Sequence, residues 1–211
     1  MTNVIFPKKL PTVRDVSVSE FDLIEFEASV ASLYESGGVK GPVHLAKGNE
    51  KQLISIFKHV DPNDWVFAAW RNHYHALLHG IDSQTLLKSI SGGNSMGTNS
   101  VSPKFYASSI VGGIIPIALG VAMALKRNES KTKVWCFVGD MTAQTGVFRE
   151  SYAYAKNFDL PIQWVVEDNG LSVHTETEKA WGTKFVIPED VIYYQYTPGY
   201  PHHGTGKWVN F

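Results

Sequence analysis

The sequence predicts an α/β protein, a doubly wound parallel sheet with helices on both faces. Three observations lead there. Strand-like and helix-like segments alternate through the second half, with strands at Lys133–Val138 and Ile162–Glu167 flanking a helix at Val147–Phe158. Trp65–Trp70 is a short apolar run of the kind found in buried strands. Gly112–Arg127 is nearly all apolar, as expected of a helix covered on most of its surface.

The elements follow in order. Residues 1–16, with Pro7, Lys8, Lys9 and Pro11, read as an arm, and residues 17–211 as one α/β domain. Ser17-x-x-Glu20 has the form of a capping box, in which the serine accepts from an orphan N–H and the glutamate reaches back. Phe21, Ile24, Ala28 and Ala31 recur at helical spacing until Gly37-Gly38 supplies a stop. A polar loop over 37–49 holds His44, and 50–59 suits a second helix. Asp61-Pro62-Asn63-Asp64 is a turn by its chemistry. After the Trp65–Trp70 strand come helices over Arg71–Ile81 and Ser83–Ile90, then a Gly/Ser/Asn-rich loop, Ser91–Lys104. Val191–Tyr196 reads as a late strand and Thr197–Phe211 as a Gly/Pro/His loop.

Composition excludes several classes. Hydrophobic residues are 44% and charged residues 18%, and 19 Lys+Arg against 20 Asp+Glu leave a net charge of -1. That balance argues against nucleic-acid binding, which needs a clustered basic excess. The single cysteine, Cys136, rules out an internal disulfide, fits a reducing compartment and reads as a small core residue. The opening residues carry no long apolar run, and the most apolar stretch, Ile110–Leu125, falls short of the ~20 residues that span a bilayer. A soluble, cytoplasmic chain with no membrane partner is expected. Six Trp, nine Tyr, eleven Phe and eight His suit pockets and subunit faces. Lys8-Lys9 reads as a solvated pair.

The informative unit is Val134–Val138, Gly139-Asp140, a helix, Ile162–Glu167, then Asp168-Asn169-Gly170. A right-handed strand–helix–strand crossover brings the carboxyl ends of both strands to one sheet edge. Neighbouring strands lie about 5 Å apart, so Asp140 and Asn169 can face a common point just beyond the strand tips. An aspartate, an amide oxygen and a nearby carbonyl are hard donors which, with water and phosphate oxygens, complete the octahedron that Mg²⁺ demands. Gly139 allows close backbone approach to a ligand. The same residues also satisfy plain turn chemistry, and spacing alone leaves both readings open.

Gly139-Asp140, a gap of some thirty residues and Asn169, with Leu160-Pro161 just before the second strand, is similar to the thiamine-diphosphate motif. Over residues 20–180 the chain resembles the α subunit of the E1 component of 2-oxo acid dehydrogenases. Tyr34-x9-His44-x3-Gly48-x-Glu50 resembles that family's amino-terminal helix and loop, and Trp70-Arg71-x-His73-x-His75-Ala76-Leu77-x2-Gly80 its aromatic-Arg-x-His segment. Ile110-Val111-Gly112 with Pro116 and Gly120, then Gly146-x-Phe148-x-Glu150, complete the run across residues 20–180.

The resemblance implies a thiamine-diphosphate-binding fold and a set of roles. Asp140 and Asn169 would hold Mg²⁺ with their side chains and Leu171 with its carbonyl. Trp70 and Arg71 would contact the diphosphate, which the planar guanidinium fork matches. Ser109 and Val111 would touch the aminopyrimidine, and Met141 and Thr142 would offer backbone N–H groups to phosphate. His44 and His73 would line the substrate side. His202-His203-Gly204 is similar to a histidine-bearing active-site loop, with either histidine able to serve and His203 the first to test. Positioned histidines are worth roughly 10²–10⁴-fold in proton transfer.

It also implies a β-type partner supplying the pyrimidine-side glutamate, in an α2β2 assembly, acting on a 2-oxo acid or ketose, with a lipoyl acyltransferase as a possible acceptor. Split transketolase- or carboligase-like enzymes share the cofactor site. A non-catalytic scaffold that has lost the cofactor stays open because the chain departs from the pattern. Met141 and Asp168 stand where the family usually has Gly and Asn, and His174 where a small residue is commoner. Gln195 would replace a phosphate-binding Arg, and the family's further carboxyl-terminal helices have no counterpart here. His75 and His79 at i, i+4 have the spacing for a shared metal, but no third ligand follows at a convincing distance.

Overall fold

The computed structural model describes residues 3–7 and 10–209. The Lys8-Lys9 pair lies outside the described residues. β1 (Val4–Ile5) precedes α1 (Glu20–Glu35) and α2 (Glu50–Phe57). β2 (Trp65–Ala68), α3 (His73–His79), α4 (Ser83–Ser91), β3 (Asn99–Ser100) and β4 (Phe105–Ala107) follow. α5 (Ile114–Arg127) leads into β5 (Val134–Gly139), the single turn α6 (Asp140–Ala143), α7 (Gly146–Asn157) and β6 (Ile162–Asp168). The hairpin β7 (Leu171–Ser172) and β8 (Thr175–Glu176), then α8 (Thr177–Trp181) and β9 (Ile192–Gln195), complete the order.

Among the described residues, seven strands form one sheet in the order β1-β9-β6-β5-β2-β4-β3. The five inner strands are parallel and the two edge strands, β1 and β3, are antiparallel. This is the doubly wound α/β architecture the alternation predicts. β5 is central, and its side chains divide the core. Trp135 and Phe137 pack with residues of α1–α4 on one face, while Val134, Cys136 and Val138 pack with α5 and α7 on the other. Each large side chain so buried contributes about 1.5–3 kcal/mol. At the opposite end of the sheet from the β5 tip, Asp64 accepts from Lys133 N at 2.7 Å and Trp135 Nε1 at 2.9 Å, which pins the β2 entrance to β5.

Several boundaries differ from the sequence reading. The capping box is two residues later: Ser19 Oγ accepts from Asp22 N, and the Asp22 carboxylate accepts from Ser19 N at 2.7 Å. Aspartate at the third helical position performs the glutamate's task. The segment expected as an arm contributes β1, which pairs with β9, and Arg14 anchors it by donating to the Phe57 and Leu78 carbonyls. The Trp65–Trp70 strand ends at Ala68, so Trp70 and Arg71 lie on the connection that follows. The expected Arg71–Ile81 helix is shortened to His73–His79, stopped by Gly80 in the left-handed region. α5 starts at Ile114 because Gly112, at φ +72°, is not helical and lies close against Val147. The Gly/Ser/Asn-rich loop carries β3.

Candidate functional site

From β2 the chain moves outward to β4, and from β5 it moves the other way to β6 and β9. The sheet therefore reverses its winding between β2 and β5, and ligands bind open α/β sheets at the carboxyl ends of strands flanking such a reversal. A small cleft opens there. Ala69, Trp70 and Arg71 line it from the end of β2, Gly139–Thr142 from β5, Glu167, Asn169, Leu171 and Ser172 from β6 onward, and Tyr196 from β9. Eight of the residues singled out in the sequence thus meet: Trp70, Arg71, Gly139, Asp140, Met141, Thr142, Asn169 and Leu171. Gly139 and Glu167 are register partners, so Asp140 and Asp168 leave adjacent strands side by side.

Carboxyl groups and unpartnered N–H donors both belong to this lining, although among the described residues no three His, Cys, Asp or Glu side chains gather as a metal centre. The Asp140 carboxyl is buried, which pushes it up to about 6, with the neighbouring Asp168 carboxylate adding to that rise. Thr177 donates to Asp140 Oδ2 and opposes it. A divalent cation would offset both the burial and the like charge. Asn169 Oδ1 accepts from Leu171 N at 3.0 Å and retains a second lone pair. Across the cleft, the buried Trp70 Nε1 and Arg71 Nε have no hydrogen-bond partner within the protein. Two unpartnered N–H donors suit an oxyanion such as a diphosphate. A Cβ on Gly139 would project into open space. The residues present therefore fit a metal–diphosphate group. The cleft's volume of about 50 Å³ is room for an ion and a water or two, so most of a coenzyme would lie outside it.

Other expected residues are elsewhere. Ser109 and Val111 are exposed and do not line the cleft. His73 is fully buried and does not line the cleft, with Nε2 at 3.0 Å from Ser95 Oγ and Nδ1 at 3.4 Å from Glu27. His44 lies beside Trp70, ring centroids 6.0 Å apart, and its Nδ1 donates to the His202 carbonyl at 2.7 Å. Burial pulls His44 down to about 4, against that hydrogen bond and helped by the charge of Arg71. His202, not His203, approaches Arg71: Arg71 Nη2 donates to its carbonyl at 3.1 Å. His203 is exposed and lines a separate groove with Tyr34 and Trp208. His174 contributes a fourth ring, 6.2 Å from His202. His75 and His79 do not converge, since His75 Nε2 meets Glu167 and His79 Nε2 meets the Asp64 carbonyl.

The sequence reading missed Glu167, Tyr196 and the surroundings of Asp168. Glu167 follows the apolar run Trp164–Val166 near the end of β6, and a charge directly after such a run is the available signal. Asp168 accepts from Tyr193, from Gln195 Nε2 at 3.0 Å and from Gly170 N at 2.8 Å. Met141 has its sulfur covered by Trp181, whose Nε1 donates to it at 2.9 Å.

The sequence profile of the family described as "Dehydrogenase E1 component" matches residues 21–189, which include every element of the cleft before β9. The chain belongs to the dehydrogenase E1 component family. Among its curated E1 relatives, the pyruvate dehydrogenase E1 component subunit alpha of Rickettsia typhi is 27% identical over 83% of this chain and 58% of its own length. The corresponding subunit of Zymomonas mobilis is 31% identical over 74% of this chain and 47% of its own. The α subunit of acetoin:2,6-dichlorophenolindophenol oxidoreductase from Bacillus subtilis is 30% identical over 74% and 50%. The chain thus spans about half the length of the relatives it matches.

Proposed function

We propose that this E1-family chain is the α-type half of a thiamine-diphosphate- and Mg²⁺-dependent enzyme that decarboxylates a 2-oxo acid and transfers the resulting acyl or aldehyde unit. The observation that carries this reading is the cleft at the sheet's winding reversal. Trp70 and Arg71, which carry unpartnered buried N–H donors, line it together with the oxygen donors Asp140 and Asn169. Asp140 and Asn169 hold Mg²⁺ with their side chains and Leu171 with its carbonyl. Trp70, Arg71 and the backbone N–H groups of Met141 and Thr142 bind the diphosphate.

Thiamine diphosphate supplies the carbon nucleophile and electron sink that decarboxylation needs. The chain's own part is to fix the diphosphate, exclude water and move protons, and His44 and His202 beside Arg71 are placed for the last. The cleft admits only the metal end of the coenzyme, so a β-type subunit covers the remainder, in an α2β2 assembly, in the cytoplasm. A lipoyl acyltransferase is the acceptor if the product is an acyl thioester, and a second carbonyl compound if the enzyme is carboligase-like. Met141 under Trp181 favours one second reading, a scaffold that no longer binds coenzyme, because a bulky side chain lines the cleft where the resemblance implies glycine.

Calorimetric titration of thiamine diphosphate in Mg²⁺, with and without the co-purified β-type partner, separates them. Mg²⁺-dependent binding that Asp140→Ala or Asn169→Ala weakens about 100-fold is expected. No binding under either condition establishes the scaffold reading. Incubation of the complex with pyruvate, branched 2-oxo acids and ketose phosphates then identifies the substrate class.

A further inference from the structure

Beneath the histidines flanking Arg71 lie two buried carboxylates that the site chemistry does not use. Glu27, in the middle of α1, is 1% exposed, and Glu50, at the first turn of α2, is 7% exposed. Each spends both its oxygens on a backbone N–H of the loop that carries His44. Ala46 N donates to Glu27 Oε1 and Oε2 at 3.0 and 2.8 Å. Gly48 N donates to Glu50 Oε1 and Oε2 at 2.9 and 3.0 Å. Tyr74 from α3 donates to Glu50 at 3.0 Å, and His73 stands at Glu27. Hydrogen bonds with an ionised partner are about twice as strong as neutral ones, so these two carboxylates fix the loop at two points two residues apart.

That loop in turn holds the one carrying His202. Gly199 N donates to the Lys47 carbonyl and Gly204 N to the Val43 carbonyl, both at 2.8 Å. His44 Nδ1 donates to the His202 carbonyl, which also receives Arg71. Gly48, at φ +113°, leaves no space for a Cβ against the Thr197 carbonyl. The path from α1 and α2 to Arg71 thus runs through hydrogen bonds joined by short stretches of the 43–48 backbone, with the carboxylates at its base.

We infer that Glu27 and Glu50 are positioning residues that set where His44 and His202 stand over Arg71. This rests on the proposed role of those histidines, although the geometry is independent of any coenzyme. The test uses the whole ¹⁵N-labelled chain and the variants Glu27→Gln, Glu50→Gln and the pair. A glutamine offers one neutral acceptor where two charged ones stood. Exchange of the Ala46 amide in Glu27→Gln, and of Gly48 in Glu50→Gln, is expected to quicken at least about tenfold while β5 amides are unchanged.

Ring titration gives the second readout. The His44 midpoint, held low by burial among Trp70, Arg71, His202 and His203, is expected to rise by about one pH unit in the double variant. His79, more deeply buried and held at the Asp64 carbonyl, is expected to stay near 4. General loosening would move both. A His44 midpoint that does not move, or one that moves together with His79, overturns the inference. If the double variant does not fold, the two single variants are read by amide exchange on the same terms. Failure of thiamine diphosphate to bind would sink the proposed function and leave these readouts standing.

Discussion

The Nε2–H of His75, on α3, donates to Glu167 Oε1 at the tip of β6 across 3.1 Å, and the same oxygen receives the buried Tyr194 hydroxyl. One carboxylate thereby joins a helix to two strands beside the cleft. Glu167→Ala would leave both donors buried without partners. An expected loss is about 2–4 kcal/mol in urea unfolding, against about half that for Glu167→Gln, which keeps an acceptor.

Acid should weaken the fold through two histidines. Burial pulls both His44 and His79 down to about 4, while in the unfolded chain each sits near 6.5. The unfolded state therefore binds more protons between those values, and stability must rise with pH across the window from 4 to 6.5 and be lost as pH falls through it. For His79 the contribution is on the order of 2 kcal/mol. Melting temperature measured from pH 7 down to 4 should fall, and less steeply in His79→Gln.

Two glycines should respond oppositely to alanine. Gly48→Ala places a Cβ into the Thr197 carbonyl at φ +113°, and a loss of about 2–4 kcal/mol in chemical denaturation is expected. Gly139→Ala meets nothing of the chain and has an ordinary φ of −74°. Its stability should change by less than about 0.5 kcal/mol, while affinity for thiamine diphosphate in Mg²⁺ falls.

Cys136 should be inert. It is wholly buried on β5, and burial pushes its thiol far up. Reaction with a thiol reagent under native conditions should run at the rate of opening, at least about 10³ slower than a free thiol. Fast labelling of the folded chain would contradict this core placement.

The strand–helix–strand unit over 133–167 was legible because apolar runs and helical spacing are local signals, and because a crossover dictates where its strand ends go. The meeting of Asp140 with Asn169 at one cleft follows from that rule and needed no contact information. The convergence of Trp70 and Arg71 on the same cleft came from the family pattern, since nothing local says that β2 neighbours β5. The histidines were harder. His73 and His75 sit two positions apart on a short helix, and only the packing decides that one faces Glu27 and the other Glu167. His202 and His203 are chemically identical neighbours, and the choice between them is made by the Val43–Gly204 hydrogen bond that orients their loop. The β1–β9 pairing gave no signal, because two residues of edge strand carry too little pattern to read.

That pairing bears on how the molecule folds. Val4 and Ile5 join Tyr194 and Tyr193 across nearly the whole described sequence. Closing so long a loop costs entropy before the contact repays it. This border of the sheet therefore zips up only after the central strands have collapsed around β5, a long-range step of the kind that slows folding.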